Sequence, residues 1–314
     1  MVRSAELQVQ GQEQPSFDGL SCEGCGAQLN VAQGERTVKC PYCASPNIVA
    51  KPRAAAVDPE FVVGFVITEA EARKRARAWI RSTWLVKSAF AKADVSEVRG
   101  VYLPAYLYSG SAQVHYTAQI GENYTVTETY TTTDSQGRTV TRTRTRVETE
   151  WRSLSGSWAA YLDDVLVTAS RGLDNAELEA IEPYDLRALR RYSPKILSGW
   201  LAEDPSRTVA ECAAMAREEA VEQVGNRVSK HMPGDSHRSL RYKTQFEHEH
   251  GALMLLPVWV LAVKYDPEEP AVRMVLNGQT GALVGKPPRS WVKIGLLCLA
   301  VVAVIVGAVW MVNT

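Results

Sequence analysis

Three observations predict an α+β fold for this 314-residue chain. Two Cys-x2-Cys pairs stand near its start, threonines alternate through residues 116–151 among a few helix-period segments, and nineteen uncharged apolar residues lie near its end. Together they give an N-terminal zinc ribbon, a β-rich cytosolic domain with a long hairpin and two or three helices, and a single C-terminal transmembrane helix. With 46% hydrophobic and 22% charged residues the composition is globular. The balance of 35 basic against 35 acidic residues argues against a partner held by overall basicity.

Residues 1–15 are polar, without the apolar core of a secretory signal, so the N-terminus is expected to stay in the cytosol, with residues 1–20 disordered. The ribbon is expected over residues 21–49. Cys22 and Cys25 are separated from Cys40 and Cys43 by fourteen residues, so each pair can form a tight knuckle and the four thiolates can close a tetrahedral Zn2+ site. Four protein ligands leave no open position, which makes the zinc structural. Disulfides are excluded by a reducing compartment. Glu23 and Glu35 among Arg36, Lys39, Lys51 and Arg53 make no strong phosphate footprint, so protein contact is favoured for the ribbon.

Residues 50–60 are rich in Pro and Ala and read as a linker to an α+β domain spanning 61–286. Residues 61–67 form a short apolar strand. Thr68 with Glu71 is a capping-box pattern, and Ala72, Ala76, Trp79, Ile80 and Trp84 recur at helical spacing, so a helix is expected over 69–91. Arg73, Arg77 and Arg81 mark its basic face. Residues 101–108 and 255–265 share a Leu-Pro start and read as strands entered through an edge or bulge.

The threonine alternation predicts a long β-hairpin turning at residues 134–137. Pairing about that turn sets Glu122 and Glu128 near the row Arg142, Arg144 and Arg146. A further strand is expected at 158–168, a Pro183-broken helix at 175–190, and an amphipathic helix over 206–231 with Cys212 in its buried stripe. Asn277-Gly278 suggests a tight turn with two positive-φ positions.

Residues 287–314 are expected to form a tail anchor. The run 294–312 extends roughly 28 Å, close to a hydrocarbon core of about 30 Å. Ile294, Leu296, Leu297, Val301, Val304, Ile305, Val309 and Trp310 are its expected transmembrane residues. Lys286, Arg289 and Lys293 precede the run, which places the N-terminal domain in the cytoplasm and the C-terminus outside.

No catalytic constellation emerges. The segment 281–286 lacks the spacing and hydroxyl of a phosphate loop, Asp163 and Asp164 point to opposite faces of a strand, and His248 with His250 lack further ligands.

Cys40-Pro-Tyr-Cys43, the segments 100–105, 151–156 and 163–170, Leu255-Leu-Pro-Val-Trp259, the segment 275–281 and Gly285-Lys-Pro-Pro288 occur in one order. In that order the chain resembles a bacterial family of membrane-anchored zinc-ribbon proteins, labelled TFIIB-type or primosomal-protein-like from the ribbon. The chain departs from it at Ala44, where the family has glycine, and at Ala105-Tyr106, where it has bulkier aromatics. The resemblance implies a non-enzymatic scaffold in the bacterial inner membrane, with protein partners such as PspA-like or SPFH-domain proteins and a link to envelope stress. The expected function is therefore a membrane-anchored adaptor at the cytoplasmic face. The alternative is a membrane-tethered nucleic-acid binder using the ribbon, the Arg73, Arg77, Arg81 face and the Arg142, Arg144, Arg146 strand.

Overall fold

The computed structural model describes residues 17–32, 40–42, 45, 48–50, 58–133, 137–197 and 199–313. In chain order the first elements are β1 (Phe17–Cys22), β2 (Gln28–Ala32), β3 (Ile48–Ala50), β4 (Phe61–Val62), α1 (Glu69–Ser82) and α2 (Ser88–Lys92). There follow β5 (Glu97–Thr133), β6 (Thr139–Thr168), α3 (Asn175–Glu179), β7 (Arg190–Arg191) and β8 (Leu201–Asp204). The last are α4 (Val209–Lys230), β9 (Ser236–Val263), β10 (Val272–Asn277), β11 (Leu283–Gly285) and α5 (Trp291–Asn313). The architecture is mixed α and β, with a large sheet and few helices.

The chain divides into two compact units. The first comprises Met1–Tyr106, Val167–Cys212 and Ala252–Thr314. Its sheet joins distant segments: β1 pairs with β2 and β3, β2 with β8, β8 with the start of β5, and β9 with β10, which pairs with β11. Thr68 caps α1, its Oγ1 accepting from the Glu71 N–H at 3.3 Å. The apolar period of α1 then puts Ala72, Ala76 and Ile80 against Trp259, Leu261 and Val263 of β9 and Met274 and Leu276 of β10. Burying side chains as large as Ile80 and Phe90 stabilises by about 1.5–3 kcal/mol each.

The second unit comprises Leu107–Leu166 and Ala213–Gly251. Here β5 and β6 form the long hairpin, and β9 lies on the other side of β5. Ala216, Ala220, Val224 and Val228 give α4 a buried stripe at four-residue spacing. Across the hairpin, Arg146 pairs with Glu128 at 3.0 Å and the Tyr124 hydroxyl donates to Glu148 at 2.8 Å. Glu122 faces Arg152 at 3.8 Å, not the arginine row expected for it.

Several expectations change. Strand β1 begins at Phe17, inside the segment expected to be disordered, and the pairing of β2 with β8 makes the cysteine hairpin part of the first unit's sheet. The 61–286 boundary does not coincide with the division into two units. Helix α1 stops at Ser82, because Thr83, Trp84 and Val86 are poor helix formers and Val86 forms a bridge with Arg289. Residues 158–168 are the end of β6, not a separate strand. Of the helix at 175–190 only Asn175–Glu179 forms, followed by a single 3-10 turn at Leu186–Ala188. Only Phe61–Val62 of the 61–67 run is strand. Pro104 and Pro257 lie inside long strands, their carbonyls accepting from the N–H groups of Ala169 and Gly278. The positive φ of the 277–282 turn is at Gly281 (81°), while Asn277 Oδ1 accepts from the N–H groups of Gln279 and Thr280. The expected hairpin turn at 134–136 and linker residues 51–57 lie outside the described residues.

Candidate metal centre and membrane anchor

Strand β1 ends on Cys22, and the chain turns at once. The Cys22 N–H donates to Ala27 O at 2.9 Å, and the Gly26 N–H donates to Cys22 O at 2.9 Å. This return needs a left-handed residue, which Gly26 supplies at φ 76°. On the second knuckle, the Cys40 N–H donates to Ser45 O at 2.9 Å. The two knuckles bring the Sγ atoms of Cys22, Cys25 and Cys40 within 4.8 Å of one another. Cys25 and Cys40 are 3.6 Å apart at sulfur. Zinc–sulfur bonds of about 2.3 Å at tetrahedral angles require sulfurs about 3.8 Å apart, so these three thiols fit such an ion. Cys22 and Cys40 are buried and Cys25 is half-buried; Cys43 lies outside the described residues.

Beneath the cysteines lies a polar seat that no sequence motif announces. Tyr42 is buried, and the Gly172 backbone lies close to its ring. Glu203 of β8 is also buried, and the Ser170 hydroxyl donates to its carboxylate at 2.6 Å. Burial pushes the Glu203 carboxyl up to about 8 against the opposing hydrogen bond from Ser170. Burial, with the neighbouring Glu203, likewise raises the Tyr42 phenol well above its ordinary value. The Gly172 N–H donates to Ser170 Oγ at 2.8 Å, which ties the seat to the backbone before α3. Nothing in the sequence marks Glu203, which stands beside a second acid, Asp204, in the Leu201–Asp204 strand.

The other expected feature is α5. Trp291–Ala308 within it is long and apolar enough to cross a membrane, and none of its residues is fully buried. Leu296, Leu297, Val301, Val304, Ile305 and Trp310 are all exposed, as lipid-facing groups would be, and Ile294 is half-buried near the start. The side chain of Val309 lies outside the described residues. The helix begins at Trp291, so Lys293 lies in its first turn.

Half of the expected basic residues pair with acids. Arg73 donates to Val95 O and Glu69, and Arg77 makes a bidentate pair with Asp94 at 2.6 and 2.8 Å. Arg146 is held by Glu128 and Glu148, leaving Arg81, Arg142 and Arg144 exposed. Cys212 is buried in α4 beside Thr168 O, and burial raises its thiol, as for a core residue rather than a nucleophile. His248 and His250 are both exposed, and His248 has φ 53°, a local irregularity in β9.

No protein-family model matches the chain, and no solved structure matches it. The chain is 26% identical over 235 residues to YdjG, an uncharacterized protein of Bacillus subtilis (strain 168). The alignment covers 74% of this chain and 64% of that relative, so it spans under two thirds of the relative's length.

Proposed function

We propose that this protein is a bacterial membrane-anchored zinc-ribbon adaptor, a non-enzymatic scaffold that recruits partner proteins at the cytoplasmic face of the inner membrane. The observation that carries this reading is that the cysteine cluster and the apolar helix belong to one compact unit, so a metal-stapled hairpin would travel with the anchor. Cys22, Cys25 and Cys40, completed by Cys43, would hold a structural Zn2+, whose binding energy would fold the hairpin. Lys286, Arg289 and Lys293 before the span favour a cytoplasmic N-terminal domain. The family resemblance favours PspA-like or SPFH-domain partners and a role in envelope stress. Nucleic acid is the weaker partner, because Arg73, Arg77 and Arg146 are already paired with acids.

The test is a crosslinked pull-down of the full-length protein from bacterial membranes, with zinc measured on the same sample, for the native chain and Cys40→Ser. Zinc near one per chain, with PspA-like or SPFH partners lost in Cys40→Ser, is the expected result. Absence of zinc, or recovery of nucleic acid in place of protein, would overturn the reading.

A further inference from the structure

The turn between α1 and α2 is built against the start of α5. The Lys87 N–H donates to Pro288 O at 3.0 Å and the Ser290 N–H to Leu85 O at 2.9 Å, making one antiparallel bridge between Val86 and Arg289. Lys293 adds two bonds from its Nζ, to Trp84 O at 3.3 Å and Val86 O at 2.9 Å. The first lysine of the apolar helix therefore grips the folded unit, and residues 83–87 are held at the depth of that helix's first turn.

What this turn presents outward is apolar. Val86 points inward and is buried, yet the Trp84 side chain is 64% exposed, beside a helix start where Trp291 is 77% and Val292 74% exposed. An indole buries some 150–250 Å² when covered, so two exposed ones at one level form a surface that water disfavours. With hydrocarbon beginning near Ile294, Trp291 lies about 4.5 Å above it. That is within a headgroup layer about 5–7 Å thick, where indoles with one apolar and one wet side are favoured. The Lys293 bonds hold the Trp84 backbone within one side-chain length of that level. Arg81, Lys286 and Arg289 are exposed in the flanking residues, and cations so placed are drawn to an anionic leaflet.

We propose that the Trp84 turn is a second, interfacial contact with an anionic lipid surface, so that this unit rests on the headgroups instead of hanging from a loose tether. The proposal rests on the reading of α5 as a membrane span. The experiment uses the full-length chain labelled with 5-fluorotryptophan, in nanodiscs of phosphatidylcholine and phosphatidylglycerol with or without a gadolinium-chelating lipid. Resonances are assigned by their loss in Trp84→Phe, Trp291→Phe, Trp310→Phe and Trp259→Phe. The expected result is loss of the Trp84, Trp291 and Trp310 signals on adding gadolinium lipid, while buried Trp259 keeps its intensity. Replacing phosphatidylglycerol with phosphatidylcholine should restore part of the Trp84 signal only. A Trp84 signal that persists while Trp291 and Trp310 vanish overturns the inference and leaves the span intact, as would protection of Trp84 by a second copy of the chain. Persistence of all three overturns the span itself.

Discussion

The seat under the cysteine hairpin makes Gly172→Ala a sharp perturbation. A Cβ at Gly172 would stand 2.9 Å from the Ala27 Cβ and 3.0 and 3.1 Å from the Tyr42 ring atoms Cδ2 and Cγ. Neither neighbour is the free end of a flexible chain: Ala27 is fixed by the Cys22 N–H bond, and Tyr42 is buried two residues after Cys40. Overpacking of this kind costs about 1–3 kcal/mol. The hairpin can relieve it only by lifting from its seat, which strains the pairing of Gln28, Leu29 and Asn30 with Asp204, Glu203 and Ala202. Amides of this ladder that exchange by local opening should then exchange about 5- to 150-fold faster, at 1.4 kcal/mol per factor of ten. Hydrogen exchange read by mass spectrometry on the detergent-solubilised full chain measures this directly. Gly64→Ala is the control, since a Cβ there meets nothing within 4 Å. Exchange in β2 and β8 within twofold of the native rate would refute the idea that the hairpin is locked onto Gly172.

Two further outcomes follow from single residues. Asn277 is buried and bonds four backbone groups, donating to Ile181 O and Pro183 O and accepting from the N–H groups of Gln279 and Thr280. At about 0.5–1.5 kcal/mol per bond, Asn277→Ala should destabilise the first unit by about 2–6 kcal/mol in denaturant titration, whereas a loss under 1 kcal/mol would show that water replaces the side chain. In the second unit Arg217, chiefly, and the Tyr108 hydroxyl hold the Glu249 carboxyl below its ordinary range. A depressed folded-state pKa means the pair stabilises fully above the unfolded value near 4.3, and the contribution is lost as pH falls below that. Glu249→Gln should therefore flatten the acid limb of this unit's stability profile, measured by near-ultraviolet dichroism against pH, and an unchanged limb would remove the pair from the account.

What could be read in the sequence was what is local. Paired cysteines and an uncharged run of membrane length each carry their chemistry within a few residues, and threonine alternation marks strands without knowledge of the partner. The segment after Asp174 shows the limit. Its apolar spacing suits a helix, but Asn277 takes the carbonyls of Ile181 and Pro183 and Gln279 Oε1 accepts from the Asp185 N–H, so the backbone bonds a helix would need are made elsewhere. Trp84 shows the same limit from the other side. It falls on the helical period of Ala76 and Ile80, yet bonds to residues two hundred positions away pull it out of α1. The burial of Glu203 is likewise invisible locally, since its reason is the hairpin laid across β8.

That hairpin also governs what β8 shows to its surroundings. Within the sheet β8 lies between β5 and β2, so β2 is what covers its outer side. If the cysteines hold a metal, a hairpin that lost it and unravelled would strip this cover and turn β8 into an exposed edge, its peptide groups open to any extended chain nearby. If a metal staples the hairpin, its occupancy would then act as a cap on β8, and its loss would add a bare edge to a sheet whose strand order otherwise ends at β11 and β3.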